Sequence, residues 1–137
     1  MIGIIIVAHG NLAQAFLQTM EMIIGPQEGF EIISIDSIDK FEQARQDLEQ
    51  AIRRVDSGSG VIILTDMFGG TPSNLSLSFL KEKKIEVVTG INLPMLLKLP
   101  SLRESHELED LKTIICRYGR EKIVVASDLL SHNKGAE

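Results

Sequence analysis

Short apolar runs rich in β-branched residues recur along this chain, and amphipathic segments of helical period separate them. Short runs that are apolar on both faces are typical of central strands in a parallel sheet. Strands that alternate with helices build βαβ units, whose right-handed crossovers place helices on both faces of one sheet. The pattern therefore predicts a doubly wound, mostly parallel α/β domain, and we expect the strand order 2-1-3-4. Its strands are predicted at residues 2–7, 30–35, 61–65, 86–89 and 123–126.

Helical periodicity and helix-boundary residues fill the intervals between these strands. Asn11 and Asp39 each precede a Gln or Glu by three residues, which is the spacing of a capping box. Gly25-Pro26 ends the first helix, and Thr71-Pro72 is typical of the start of the third. The predicted helices begin near residues 12, 41, 71, 93 and 108, and the third extends to about residue 83.

Size, charge and apolar content limit the kinds of protein that this chain can be. With 137 residues, 44% of them hydrophobic, it has the material for one domain over residues 1–130, followed by a polar tail, 131–137, that we expect to be frayed. The formal net charge of −5 disfavours nucleic acid as a partner. No apolar stretch reaches the roughly 20 residues that span a bilayer, so we expect a cytoplasmic protein without membrane insertion.

Two of the predicted strands run directly into residues that carry chemistry. His9-Gly10 follows the first strand, and Asp66 opens the segment after the third. In doubly wound sheets the functional crevice lies beyond the carboxyl ends of the strands, where the strand order reverses. A carboxylate that accepts a hydrogen bond from Nδ1–H fixes the imidazole tautomer and leaves Nε2 free as a nucleophile. We therefore predict His9 as the nucleophile and Asp66 as its orienting group.

The segment after Asp66 is typical of an anion site. The glycine pair at 69–70 lets the backbone approach a ligand, and the helix start that follows offers unpaired N–H groups. Such donors can stabilise a phosphoryl group during transfer without a metal or another cofactor. The residues predicted to bind phosphate are Gly70, Thr71 and Ser73. The residues predicted to line the crevice are Gly10, Phe68, Gly69 and Asn92.

We expect the remaining reactive side chains to lie in the core or at the surface, outside the candidate site. The single cysteine, Cys116, excludes internal disulfides and thiolate metal clusters, and we expect it to fill the core. His106 and His132 are expected at the surface. The arginines 103, 117 and 120 are expected to be exposed or paired with carboxylates, because nothing in the sequence directs them to the site.

Other chemistries use parts of this pattern. A Ser-His-Asp hydrolase with Ser73 as nucleophile is disfavoured, because the chain lacks a G-x-S-x-G turn. A receiver phosphorylated on Asp66 would need an acidic cluster around Mg²⁺, whereas the first strand ends in Ala8-His9. A metal enzyme would need more ligands than His9 and Asp66. A binding module that senses a phosphorylated partner without covalent transfer stays open.

Three stretches in this order and spacing resemble a known family. They are residues 4–10, ending in the His-Gly pair, residues 66–74 (DMFGGTPSN) and residues 89–95 (TGINLPM). Together they resemble the mannose-family EIIA component of the bacterial phosphoenolpyruvate-dependent sugar phosphotransferase system, over almost the whole chain. The resemblance implies a phosphotransferase component in which His9 is phosphorylated at Nε2 by the carrier HPr and donates to an EIIB component. It also implies that Asp66 orients His9 and that the Thr71 hydroxyl lies near the phosphate.

The resemblance further implies a homodimer, in which residues 123–126 pair with the partner's sheet as an exchanged edge strand. Because this chain stops after the A domain, we expect its EIIB acceptor to be a separate protein. The alternative is a regulatory or binding module of an incomplete phosphotransferase system, whose phosphorylation state signals and does not drive sugar uptake.

Overall fold

The computed structural model describes residues 1–36, 40–80 and 84–135. Strands and helices alternate along most of this part of the chain, as predicted. The strands are β1 (Gly3–His9), β2 (Phe30–Ile35), β3 (Val61–Thr65) and β4 (Ile85–Thr89). The helices are α1 (Leu12–Ile24), α2 (Phe41–Val55), α3 (Thr71–Leu77), α4 (Leu93–Leu102), α5 (Leu108–Glu121) and α6 (Ala126–Gly135).

The four strands form one parallel sheet in the order β2-β1-β3-β4, which confirms the predicted order. In this register Val7 lies opposite Thr65, and His9 lies opposite Ile35. The carboxyl ends of β1 and β3 are therefore neighbours at one edge of the sheet. The connections that follow them begin from this shared edge.

Two apolar cores cover the faces of the sheet because successive strand residues point to opposite sides. Ile4 and Ile6 of β1 pack with α1, α4 and α5 on one face. Ile5 and Val7 pack with α2 and α3 on the other. Since His9 follows the same alternation, its side chain leaves the sheet on the α3 side. No helix among the described residues is long and apolar enough to cross a membrane.

Some helix boundaries differ from the sequence prediction. Asn11 precedes α1 but makes no capping hydrogen bond with its side chain, and Asp39 lies outside the described residues. Helix α3 ends at Leu77, and turns continue to Leu80. The predicted continuation of this helix over 81–83 lies outside the described residues.

The predicted fifth strand is wrong for this chain taken alone. Residues 123–125 belong to no strand, and α6 follows them as far as Gly135, through much of the tail that we expected to be frayed. Ile123, Val124 and Val125 are 78%, 59% and 61% exposed. A strand needs a neighbour for its backbone N–H and C=O groups, and no described strand lies beside this segment.

Arg103 is also placed differently from the prediction, because it is buried, with 3% of its surface exposed. It donates from Nη2 to the Glu28 carbonyl oxygen at 2.6 Å, and its guanidinium lies 5.3 Å from the centre of the Phe30 ring. Burial lowers the pKa of Arg103, although Glu104 and Glu28 oppose this effect. The side chain therefore fastens the end of α4 to the start of β2. Cys116, expected in the core, is half-buried.

Candidate functional site

His9 and Asp66 meet at the carboxyl edge of the sheet, as predicted. His9 is the last residue of β1, and Asp66 directly follows β3. Because these strands are adjacent and parallel, the two side chains emerge side by side. His9 Nδ1 lies 2.7 Å from Asp66 Oδ2.

Asp66 accepts two backbone hydrogen bonds in addition to the one from the imidazole. Its Oδ2 also accepts the backbone N–H of His9 at 3.0 Å, and its Oδ1 accepts the backbone N–H of Met67 at 2.9 Å. Burial alone would raise the pKa of Asp66, but the hydrogen bonds from His9 and Met67 and the charge of His9 hold it below its ordinary value of 3.8. At neutral pH Asp66 is therefore an anion, which can only accept hydrogen bonds.

The charge on Asp66 determines the tautomer of His9. Since the carboxylate accepts, Nδ1 carries the proton, and in the neutral ring Nε2 keeps its lone pair. The side chain of His9 is 47% exposed, whereas that of Asp66 is 11% exposed. A half-buried carboxylate thus holds an accessible imidazole with Nε2 away from Asp66, as the strand order predicted. The role of His9 as nucleophile stays a prediction.

Gly70 lies beside Cε1 and Nε2 of the His9 imidazole. A Cβ atom built on this residue would stand 3.2 Å from His9 Nε2. Gly70 also occupies the N-cap position of α3, where no side chain caps the helix. The predicted phosphate-binding backbone is therefore next to Nε2. The sequence predicted a close approach of this glycine pair to a ligand and assigned Gly70 to the phosphate, but it did not predict the proximity of Gly70 to the His9 ring.

The two hydroxyl residues predicted beside the phosphate differ in burial. Thr71 is the first residue of α3 and is half-buried. Ser73 is fully buried, and its Oγ has no hydrogen-bond partner among the described residues. Its hydroxyl is therefore not accessible from the solvent.

Three of the four residues predicted to line the crevice lie close to His9 in the chain or in the segment after Asp66. Gly10 has φ +55° and donates its N–H to the Ile35 carbonyl oxygen at 3.0 Å. Gly69 has φ +89°, in the region that favours glycine. Phe68 is 72% exposed, and its neighbour Met67 is 54% exposed. The rim of the site thus includes an exposed apolar pair.

Asn92, the fourth, is committed to structural hydrogen bonds. Its Oδ1 accepts the backbone N–H of Met95 at 3.1 Å, which caps α4, and its Nδ2 donates to the Gly119 carbonyl oxygen at 3.0 Å. Asn92 therefore ties the start of α4 to the end of α5. The Asn-Leu-Pro order at this helix start is the sequence signal that indicates a cap. Among the described residues, no group of three or more His, Cys, Asp or Glu side chains could hold a metal ion.

Related proteins share this chain's sequence pattern. A family described as "PTS system fructose IIA component" (EIIA-man) matches residues 3–116. A fructose-specific EIIA component of the phosphotransferase system from Bacillus subtilis is 31% identical over 137 residues, covering 99% of this chain and 94% of that protein. A mannose-specific EIIAB component from Escherichia coli is 30% identical over 124 residues, covering 89% of this chain and 38% of that protein.

The fold supports the same relationship. The crystal structure of a phosphotransferase system EIIA component from Streptococcus agalactiae has a TM-score of 0.85 with this chain at 32% sequence identity, covering 93% of this chain and 99% of that one. The family match includes both His9 and Asp66. The resemblance stated from the sequence is confirmed: this chain belongs to the mannose family of EIIA components, the phosphocarriers of the sugar phosphotransferase system.

Proposed function

We propose that Nε2 of His9 accepts a phosphoryl group from phosphorylated HPr and passes it to an EIIB component. The hydrogen bond between His9 Nδ1 and Asp66 is the observation that carries this proposal. This hydrogen bond fixes the proton on Nδ1 and leaves Nε2 as the nucleophile. The side chain of His9 is partly exposed, so a partner can reach it. HPr and EIIB are the partners that membership of the family implies.

The transfer step needs no group beyond those at the site. The Nε2 lone pair attacks phosphorus, the bond between phosphorus and the donor nitrogen of HPr breaks, and the electron pair of that bond returns to the donor. The proton on His9 Nδ1 stays in place, so the phosphorylated ring carries a positive charge. Asp66 stabilises that charge and keeps the ring from rotating. The EIIB acceptor then attacks the same phosphorus, the bond between phosphorus and Nε2 breaks, and its electron pair returns to the imidazole.

The equatorial phosphoryl oxygens need donors during the transfer, because the transition state spreads negative charge over them. The first turn of a helix has N–H groups without helical partners, and Pro72 contributes none. Thr71 and Ser73 therefore supply the N–H groups of this turn, next to Gly70 and Nε2. The Thr71 hydroxyl adds a donor. Because the hydroxyl of Ser73 is buried, we assign only the backbone N–H of that residue to the phosphate.

The test of this function is intact-mass analysis after incubation with phosphoenolpyruvate, enzyme I and HPr. The wild type should gain one acid-labile, base-stable phosphoryl group, and His9→Ala should gain none. His106→Ala is the matched control, because it removes a histidine from the loop before α5 and should leave phosphorylation intact. No gain in the wild type, with partners shown active on another EIIA component, would refute the proposal. Phosphorylation without transfer to EIIB would favour the regulatory module.

A dimer formed by exchange of residues 123–125 also belongs to the proposal. These apolar residues are exposed, and β4 pairs only with β3 among the described strands, so one edge of β4 is free. A groove of about 590 Å³ runs along that edge, between β4 and the Lys112 to Arg120 side of α5. An open strand edge has N–H and C=O groups that can pair with a strand of another chain, and an exposed apolar segment can supply such a strand. A second copy of this chain would satisfy both.

A further inference from the structure

Two adjacent glycines after β3 are required for different reasons. Gly69 has φ +89°, a conformation that side chains disfavour, and a Cβ built there meets no atom within 4 Å. Gly70 has φ −89° and ψ 175°, which any residue adopts. Yet a Cβ at this position would lie 2.7 Å from His9 Cε1 and 3.2 Å from His9 Nε2. The backbone conformation disfavours a side chain at residue 69, and the imidazole of His9 in its present position obstructs one at residue 70.

Asp66 and Gly70 border neighbouring atoms of the imidazole. Asp66 holds Nδ1, and the adjacent ring atoms Cε1 and Nε2 occupy the space that a side chain at Gly70 would need. The next atom that a Cβ would meet is Met67 Cγ, at an ordinary contact distance of 3.7 Å. Only the imidazole obstructs a side chain at residue 70. Because the His9 side chain is partly exposed, the ring can move outward, so the fold survives a side chain there while the ring loses its position.

We propose that Gly70 is a positioning residue for phosphoryl transfer, because its missing side chain keeps the His9 imidazole on Asp66 with Nε2 open to the partner. The kinetic consequence rests on the proposed function, whereas the position of the ring does not. A methyl group at residue 70 would lie 2.7 Å from His9 Cε1, so the ring has to move away from its place on Asp66. This shift moves the nucleophile from its line of attack, and a misplacement of about 1 Å can slow an enzymatic step about 100-fold.

The experiment compares Gly70→Ala with Gly69→Ala in the full chain, each labelled with ¹⁵N-histidine. The nitrogen chemical shifts of His9 report which ring nitrogen carries the proton. Gly70→Ala should lose much of the Nδ1–H tautomer, and its phosphorylation by phospho-HPr should slow about 100-fold. Gly69→Ala adds the same methyl group one residue away and strains the backbone. It should lower Tm and keep the wild-type tautomer of His9.

Each result decides the proposal. A wild-type tautomer and a wild-type phosphorylation rate in Gly70→Ala would overturn it. If the wild type is not phosphorylated at all, the proposed function fails, and the tautomer comparison still decides the role of Gly70. If Gly70→Ala does not fold, the double variant His9→Ala with Gly70→Ala should fold, because the obstructing ring is gone. Failure of the double variant to fold would show a different need for Gly70 and overturn the proposal.

Discussion

Asp66→Asn removes one charge from the site while keeping the shape of the side chain. The carboxylate accepts three hydrogen bonds, two at Oδ2 from His9 and one at Oδ1 from Met67. An amide has one oxygen, and placing it at the Oδ2 position retains both bonds from His9. Its NH₂ group then faces the Met67 N–H, so one hydrogen bond is lost. We expect the fold to persist and His9 to remain oriented.

The lost charge determines the magnitude of the effect on transfer. When Nε2 bears the phosphoryl group and Nδ1 keeps its proton, the ring is positively charged and hydrogen-bonded to Asp66. Two unit charges about 4 Å apart interact by about 4 kcal/mol at an effective dielectric constant of about 20. Because the side chain of His9 is partly exposed, we expect this interaction energy to fall to about 2 to 3 kcal/mol. Loss of that energy from the transition state corresponds to a rate loss of roughly 30- to 150-fold.

Single-turnover transfer from ³²P-labelled phospho-HPr, followed by rapid quenching, measures this loss directly. The matched control is Asp110→Asn, which removes the same charge from an exposed position at the start of α5 and should keep the wild-type rate. A wild-type rate in Asp66→Asn would refute the electrostatic role of Asp66. Equal losses in both variants would show that net charge, and not the contact with His9, governs the encounter with HPr.

The remaining predictions concern stability and assembly. Asp66 has a lowered pKa in the folded state, so its contribution to stability is complete above about pH 3.8 and is lost as the pH falls through the folded value. The difference in unfolding free energy between wild type and Asp66→Asn, measured in urea, should therefore shrink as the solution is acidified. Asn92→Ala should cost about 1 to 2 kcal/mol in the same assay, because the cap of α4 and the bond to Gly119 are lost. Asn11→Ala should change little, because Asn11 makes no capping bond. Val124→Asp should abolish the proposed dimer in light scattering after size exclusion, and Met22→Asp, at a 79% exposed apolar residue of α1, should not.

Periodicity in the sequence was sufficient for the sheet and for the central pair of the site. Continuous apolar runs predicted β2 and β3 with the bounds that the structure has. The side-by-side position of His9 and Asp66 followed from strand order, because the two residues lie at the carboxyl ends of neighbouring parallel strands. These features depend on local pattern and on topology, and both can be read along a single chain.

The features that the sequence did not predict depend on contacts distant in the chain or on a partner. Arg103 is buried because its guanidinium donates to the Glu28 carbonyl oxygen and lies over the Phe30 ring. Neither residue is near Arg103 in the sequence. Residues 123–125 have the composition of a strand, but no neighbour for them lies within the described chain. The sequence does not show why each glycine of the pair at 69–70 is needed: the positive φ distinguishes Gly69, and the nearby His9 ring distinguishes Gly70.

Asp66 Oδ2 accepts hydrogen bonds from the backbone N–H and from the ring Nδ1 of His9. One carboxylate therefore holds both the backbone and the imidazole of this residue. Under the proposed function, a phosphoryl group on Nε2 points in one direction only, because the ring cannot rotate. Donor and acceptor must then dock in turn on the same face and cannot be bound together. This geometry implies ping-pong kinetics, in which the phosphorylated chain leaves one partner before it meets the next. An excess of unphosphorylated HPr should then compete with EIIB for the phosphorylated chain.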